Sequence, residues 1–296
     1  MRVGYPCINR GIGCRAGSTF RLASYSRDRL RRTVSDNLDC LEKILRFNQK
    51  NGLLFFRISS DLIPFASHPV CDLDWATEFG ERFLTIGRYV TECGMRISMH
   101  PDQFTLINSP REDVLERSVE ELRYHVRVLE AMGLNRDTKV QIHVGGAYGN
   151  KEQSICRFLS RYEKLPEEIR KHLVIENDER LYCLQDCLLI HEKVGVPVLF
   201  DSFHHQCFHS GESLREGMSM AKDSWKEDDG VLMVDYSSQR QGDRPGKHAE
   251  TINASLFHRF LEETDGVEYD LMLEIKDKES SALRALELIR SRSGNF

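Results

Sequence analysis

Short apolar runs of β-strand type recur along this chain, and six of them end on a side chain that binds metal ions well. Arg96–Met99 runs into His100, Val140–Ile142 into His143, and Leu173–Ile175 into Glu176. Pro197–Phe200 runs into Asp201, Val231–Val234 into Asp235, and Leu271–Leu273 into Glu274. Amphipathic helical patterns separate the runs, and continuous apolar strands alternating with helices predict a parallel sheet covered by helices. Counted from a first strand at Arg2–Cys7 and a second at Leu53–Ser59, there are eight such units with no linker or composition break. That points to an α/β fold: a closed (β/α)8 barrel forming a single domain over residues 1–296. A barrel of parallel strands sets all its strand C-termini on one rim, so these six endings would converge. A single buried His is more often structural than a ligand, and a single strand-end Asp is commonly a helix N-cap. The joint pattern overturns those readings and predicts a multinuclear metal site at the C-terminal rim.

The helices are expected at about residues 35–47, Asp74–Cys93 closed by Gly94, and Asp113–Met132 closed by Gly133. Further helices are expected over Lys151–Glu163, in a short piece opened by Pro166, and over Tyr182–Val194. The last three are expected over 212–226, 248–263 and 278–292. The segment between the first strand and about Thr33 reads as a long loop. No run of about 18 apolar residues exists, which argues against a membrane span. The N-terminus shows no signal-peptide pattern. Nine cysteines without a CxxC pair fit a reduced, cytoplasmic setting, with most of them acting as small core residues. Net charge is −5, yet residues 10–32 hold seven arginines against the single acid Asp28. A basic loop on an acidic body is able to meet a phosphate backbone, and a solvated loop and helix start is the other reading.

The rim set is His and carboxylate without thiolate, which suits Mn²⁺, Zn²⁺ or Mg²⁺. Glu176 and Glu274 are placed to bridge two ions. Asp201 is followed by Ser202-Phe203-His204-His205, so its loop offers further imidazoles, and His248 follows a flexible Gly242–Lys247 loop. His205 is balanced between a supporting role and DNA contact; His68, His125, His172, His191, His209 and His258 read as structural or surface residues. Two or three ions a few ångströms apart suit in-line displacement at phosphorus. The turn Gly145–Asn150 lacks the Gly-Lys-Ser/Thr of a Walker A loop, and its glycines would let backbone approach the metals, with Lys151 available to a phosphate. Gln103-Phe104, an amide beside an aromatic on a rim loop, is the kind of pair that inserts into a base stack, the other reading being that Phe104 packs against its own loop.

Several blocks resemble the UV damage endonucleases, relatives of the apurinic endonuclease and xylose isomerase-like TIM barrels. They are Ser98–Leu106, Ile142–Lys151, Ile175–Asp178, Phe200–His205 and the early stretch Arg57-Ile58-Ser59-Ser60…Pro64…His68-Pro69. The resemblance spans roughly residues 1–290. It implies metal-dependent nicking of damaged double-stranded DNA on the 5′ side of a UV photoproduct, leaving a 3′-hydroxyl and a 5′-phosphate. It implies His100, His143, Glu176, Asp201, His204, His248 and Glu274 as ligands of up to three ions, typically Mn²⁺, with Asp235 able to replace a histidine ligand. Where family members often carry Lys-x-His, with the lysine carbamylated, this chain has Met233-Val234-Asp235. Gln103 and Phe104 match the probe pair, commonly Gln-Tyr, and Tyr5 and Asn9 match residues near the lesion pocket.

The function expected is that of a monomeric DNA repair endonuclease with no obligate protein partner. Glu176, Glu274 and Lys151 would be its catalytic residues. A metal-dependent sugar isomerase on a similar barrel is the first alternative, and a non-enzymatic metal-dependent DNA binder the second. The Arg-rich segment and the Gln103-Phe104 loop favour DNA.

Overall fold

The structure, a computed structural model, describes residues 1–293. Eight parallel strands close into a barrel in sequential order: β1 Val3–Pro6, β2 Phe55–Ile58, β3 Arg96–Met99, β4 Lys139–His143, β5 Leu173–Glu176, β6 Val198–Asp201, β7 Leu232–Tyr236 and β8 Tyr269–Leu273. Closure is made by β1 on β8, with Val3 opposite Leu271 and Gly4 opposite Met272. The expected (β/α)8 barrel is therefore the fold. Among the described residues, no helix is long and apolar enough to cross a membrane.

Side chains alternate across each strand, and here one face meets the helices while the other fills the barrel. Phe56, Ile97, Val140, Ile175, Phe200 and Val234 point outward into the large helix-covered core. The inward positions form three layers. The bottom one carries Arg96, Lys139 and Asp270, all fully or nearly fully buried. The middle one is a separate apolar cluster of Phe55, Val174, Leu199, Met233 and Met272. Burying each such side chain contributes about 1.5–3 kcal/mol. Two residues further along those five strands come Arg57, Glu176, Asp201, Asp235 and Glu274, joined by Gln141 and His143 of β4 and by His100 at the end of β3.

Several features differ from the sequence reading, among them the helix expected over 248–263, which begins only at Ala254 and leaves His248 in an isolated bridge with Gln239. The first helix spans Arg27–Asn51, because Ser26 accepts the Arg29 amide and caps it; four of the seven arginines of that segment are thus helical. The long helix after β2 breaks at Phe79 into Trp75–Glu78 and Gly80–Glu92. Ser202–Cys207 is a short helix and not a loop, capped by Asp201, whose carboxylate accepts the Phe203 and His204 amides. Cys14 and Cys40 form a disulfide, which ties the N-terminal loop to the first helix and departs from a wholly reduced set.

Candidate metal centre

The top layer gathers the six strand endings as barrel geometry requires. Register sets His143 beside Glu176 and Asp201 beside Asp235. Glu176, Asp201 and Asp235 are buried, while His100, His143, His248 and Glu274 keep about a fifth to a third of their side chains open to the mouth. Three overlapping ligand sets result: His100, His143 and Glu176; Glu176, Asp201 and His204; Asp201, Asp235 and Glu274. Glu176 and Asp201 each belong to two sets, as bridging carboxylates would.

Three imidazoles are held in one tautomer. Nδ1 lies 2.7 Å from the Pro101 carbonyl in His100, 3.0 Å from the Asn177 carbonyl in His204 and 2.7 Å from the Glu274 carbonyl in His248. A carbonyl only accepts, so Nδ1 carries the proton and Nε2 is left with a bare lone pair. Yet Nε2 of His100 lies 3.0 Å from Glu176 Oε1, and Nε2 of His143 lies 3.3 Å from the same oxygen. That oxygen is buried and receives no well-formed hydrogen bond, and His143 Nδ1 is likewise without a partner. Lone pairs facing a carboxylate oxygen need a proton or a cation among them. Ligand atoms about 2.1 Å from a shared ion lie about 3 Å apart, so the spacing fits a divalent metal.

The electrostatics agree. Burial pushes Asp201 up to about 7, helped by Asp235 and Glu274 and only partly offset by His204. Asp235 is likewise pushed up to about 7 by burial against the relief from Arg57. Burial would also raise Glu176, but His143 and His100 outweigh it and hold the group at about 2. Burial works against the charged form of His204, yet Asp201 and Glu176 lift it to about 9. Two carboxylates driven toward neutrality beside an imidazole driven toward charge mark a local excess of negative potential over the cations present. A divalent ion relieves both.

Two central residues were not singled out from the sequence. Arg57, on β2, donates to both Asp235 oxygens at 2.9 and 2.7 Å and to Glu274. Gln141, on β4, donates to Glu176 Oε2 at 3.0 Å and to Asp235 Oδ2 at 2.9 Å. Both stand at inward positions, two residues before or after other inward residues, a period-two signal that marks them as inward-facing but does not name their partners.

The remaining expected residues are placed as follows. Phe104 is 72% exposed at the rim. Gln103 lines a cleft of about 840 Å³ shared with Arg180, Phe203, Arg244 and Lys247. Tyr5 and Asn9 are buried, the tyrosine hydroxyl donating to Asn48 at 2.7 Å and accepting from Asn9 at 2.8 Å, so neither faces solvent. Lys151 pairs with Asp186 and lies over the Tyr182 and Phe208 rings rather than standing free. Gly145 has φ +117°, and a Cβ there would meet Asn108 Oδ1 at 2.3 Å; the glycine is required by Asn108 and not by a metal. His205 is buried against Phe200 and Glu212, which leaves it a supporting position. His125 and His172 are buried and structural.

A family profile described as UV-endonuclease UvdE matches residues 1–294. A curated protein of Clostridium perfringens, UV DNA damage endonuclease, is 38% identical over 292 residues, 98% of this chain and 71% of its own. One of the same name from Bacillus thuringiensis is 31% identical, covering 99% of this chain and 96% of its own. The crystal structure of SacUVDE is 45% identical, with a TM-score of 0.95 over 99% of both chains. Endonuclease IV of Thermus thermophilus, 16% identical at TM-score 0.57 over 86% of this chain and 94% of its own, shares the barrel alone.

Proposed function

The chain belongs to the UV-endonuclease UvdE family, and we propose that it hydrolyses one phosphodiester bond of damaged duplex DNA, on the 5′ side of a UV photoproduct, at the rim centre. The observation that carries this reading is the convergence of imidazole Nε2 lone pairs and unpaired carboxylate oxygen around Glu176. His100, His143 and Glu176 would hold one divalent ion, and Glu176, Asp201 and His204 a second, with Glu274 and His248 beside them; Mn²⁺ is the ion we expect. Such ions supply Lewis acidity at the phosphate and activate the attacking water.

The chain's own residues do the rest. Backbone carbonyls at Pro101, Asn177 and Glu274 hold the imidazoles in the tautomer that binds a cation. Arg57 and Gln141 fix the carboxylates from below. Phe104 and Gln103 would enter the duplex where stacking is already weakened, selecting damage without a sequence code. Exposed arginines of the N-terminal segment would hold the backbone, while Lys151, Tyr5 and Asn9, engaged with Asp186 and Asn48, would act from behind the contact surface. An exposed aromatic at the rim suits a macromolecule better than a small sugar. The reading has the enzyme acting in the cytoplasm as a monomer.

The test is nicking of supercoiled plasmid in Mn²⁺. UV-irradiated plasmid is expected to relax while intact plasmid does not. Equal relaxation of both would indicate a general nuclease, and none on irradiated plasmid would sink the reading.

A further inference from the structure

The third ligand set, Asp201, Asp235 and Glu274, differs from the other two in already containing a cation. Arg57 Nη2 lies 2.7 Å from Asp235 Oδ2 and 2.9 Å from Oδ1, and Nη1 pairs with Glu274 Oε1. Gln141 closes the group: its Oε1 accepts from Arg57 at 2.6 Å and its Nε2 donates to Asp235 Oδ2 at 2.9 Å. Asp235 Oδ2 thus receives two donors, as many as it has lone pairs. Glu176 contrasts with it. That residue gives Oε2 to the Gln141 amide and keeps Oε1 between two imidazoles.

We infer that Arg57 is a built-in cation standing where the third set would hold an ion, so that this centre loads two divalent ions. Asp235 is then the counter-ion of the guanidinium and not a metal ligand. The inference rests on the metal-centre reading above and goes beyond it in ion count and in the role of Asp235.

Three physical points support it. An ion on Asp235 Oδ2 would face the hydrogens of the guanidinium and the Gln141 amide, and one on Oδ1 would share that oxygen with the guanidinium 2.9 Å away, unless it displaced Arg57. Displacement would strand a guanidinium that is 2% exposed, and an unpaired buried charge is among the least tolerated features of a fold. Directly below Asp235 on the inward face is Met233, buried in the apolar layer, so β7 offers no further ligand. Finally, four carboxylates and one fixed guanidinium leave a charge that two divalent ions balance to within one unit. A third ion would leave the centre strongly positive. Arg57 is also a positioning residue: with Oε1 of Glu274 engaged, Oε2 is the oxygen turned toward His248, 3.8 Å from Nδ1.

The test is a count of ions, separate from activity. Metal-free protein is titrated with Mn²⁺ by calorimetry, and the loaded protein is weighed by native mass spectrometry. The wild type is expected to saturate at two ions. Asp235→Asn is expected to keep two, with affinities within about threefold of wild type. Folded Arg57→Met is expected to accept a third. Three ions in the wild type, or loss of one in Asp235→Asn, would overturn the inference; so would a folded Arg57→Met that still stops at two. If Arg57→Met does not fold, the first two measurements decide. Wild-type protein that binds no Mn²⁺ would instead overturn the metal-centre reading itself.

Discussion

Both ends of the barrel interior are charged, with five apolar side chains between them, and the two charged layers are built to opposite rules. At the bottom every ion has its partner. Arg96 pairs with Asp270 at 3.1 Å and caps the Val231 and Asp229 carbonyls; Lys139 pairs with Asp229 at 2.7 Å; Arg2 pairs with Asp270 at 2.9 Å. At the top, four carboxylates and the imidazoles share one guanidinium, and a buried carboxylate oxygen stays unmatched. A closed network holds the fold, whereas an incomplete one waits for a ligand. The same residue types therefore mean stability at one end and chemistry at the other, as barrels generally divide them.

The largest effects should cross over between the layers. Glu176→Gln is expected to reduce nicking by about 1000-fold or more while the protein stays folded, since the amide keeps the side chain's shape and an oxygen able to accept from Gln141. Asp229→Ala leaves Lys139 buried without its carboxylate and should destabilise by about 3–5 kcal/mol, with nicking by the surviving folded protein near normal. Nicking rates and melting curves on both variants check this. A stable Asp229→Ala, or an unfolded Glu176→Gln, would erase the distinction.

A smaller effect separates both layers from a lone buried histidine. His125 is fully buried and held down to about 4, chiefly by burial. Between about 4 and its ordinary value of 6.5, the unfolded chain binds a proton that the folded one does not. Its contribution is thus complete above pH 6.5 and is lost as pH falls through that window, to a total of about 3 kcal/mol. Denaturant titrations should show a shallower pH slope in His125→Gln than in wild type. Identical slopes would return the acid sensitivity to the charged layers. The smallest effect belongs to the rim itself: Phe104→Ala should leave the melting temperature unchanged and weaken binding to damaged duplex by roughly tenfold. Unchanged affinity in a binding titration would remove Phe104 from the interface.

How much of this was legible in the sequence follows the same division. The strand endings could be read because a parallel barrel turns six separate endings into one rim, whatever the loops do. Arg57 and Gln141 could not be read as easily. A lone polar residue in a short apolar strand acquires meaning only through partners as far off as 217 positions, as between Arg57 and Glu274. The bottom layer was hidden for the same reason. The early start of the first helix was masked because Ser35 offers a second plausible cap, and arginines fill the true first turn. Nothing local distinguishes Cys14 and Cys40 from the other cysteines; only the fold sets their Cα atoms 5.8 Å apart. Lys151 read as a free cation because Asp186, its partner, lies on another helix.

The central claim is that the incomplete top layer is a lesion-directed, metal-dependent nuclease centre. It is tested most directly on a 5′-labelled duplex carrying one thymine dimer, incubated with the Mn²⁺-loaded protein. The predicted result is one labelled product ending immediately 5′ of the dimer with an extendable 3′-hydroxyl, absent with chelator and with Glu176→Gln. An uncut duplex, or equal cutting of the undamaged control by folded, Mn²⁺-loaded protein, would contradict it.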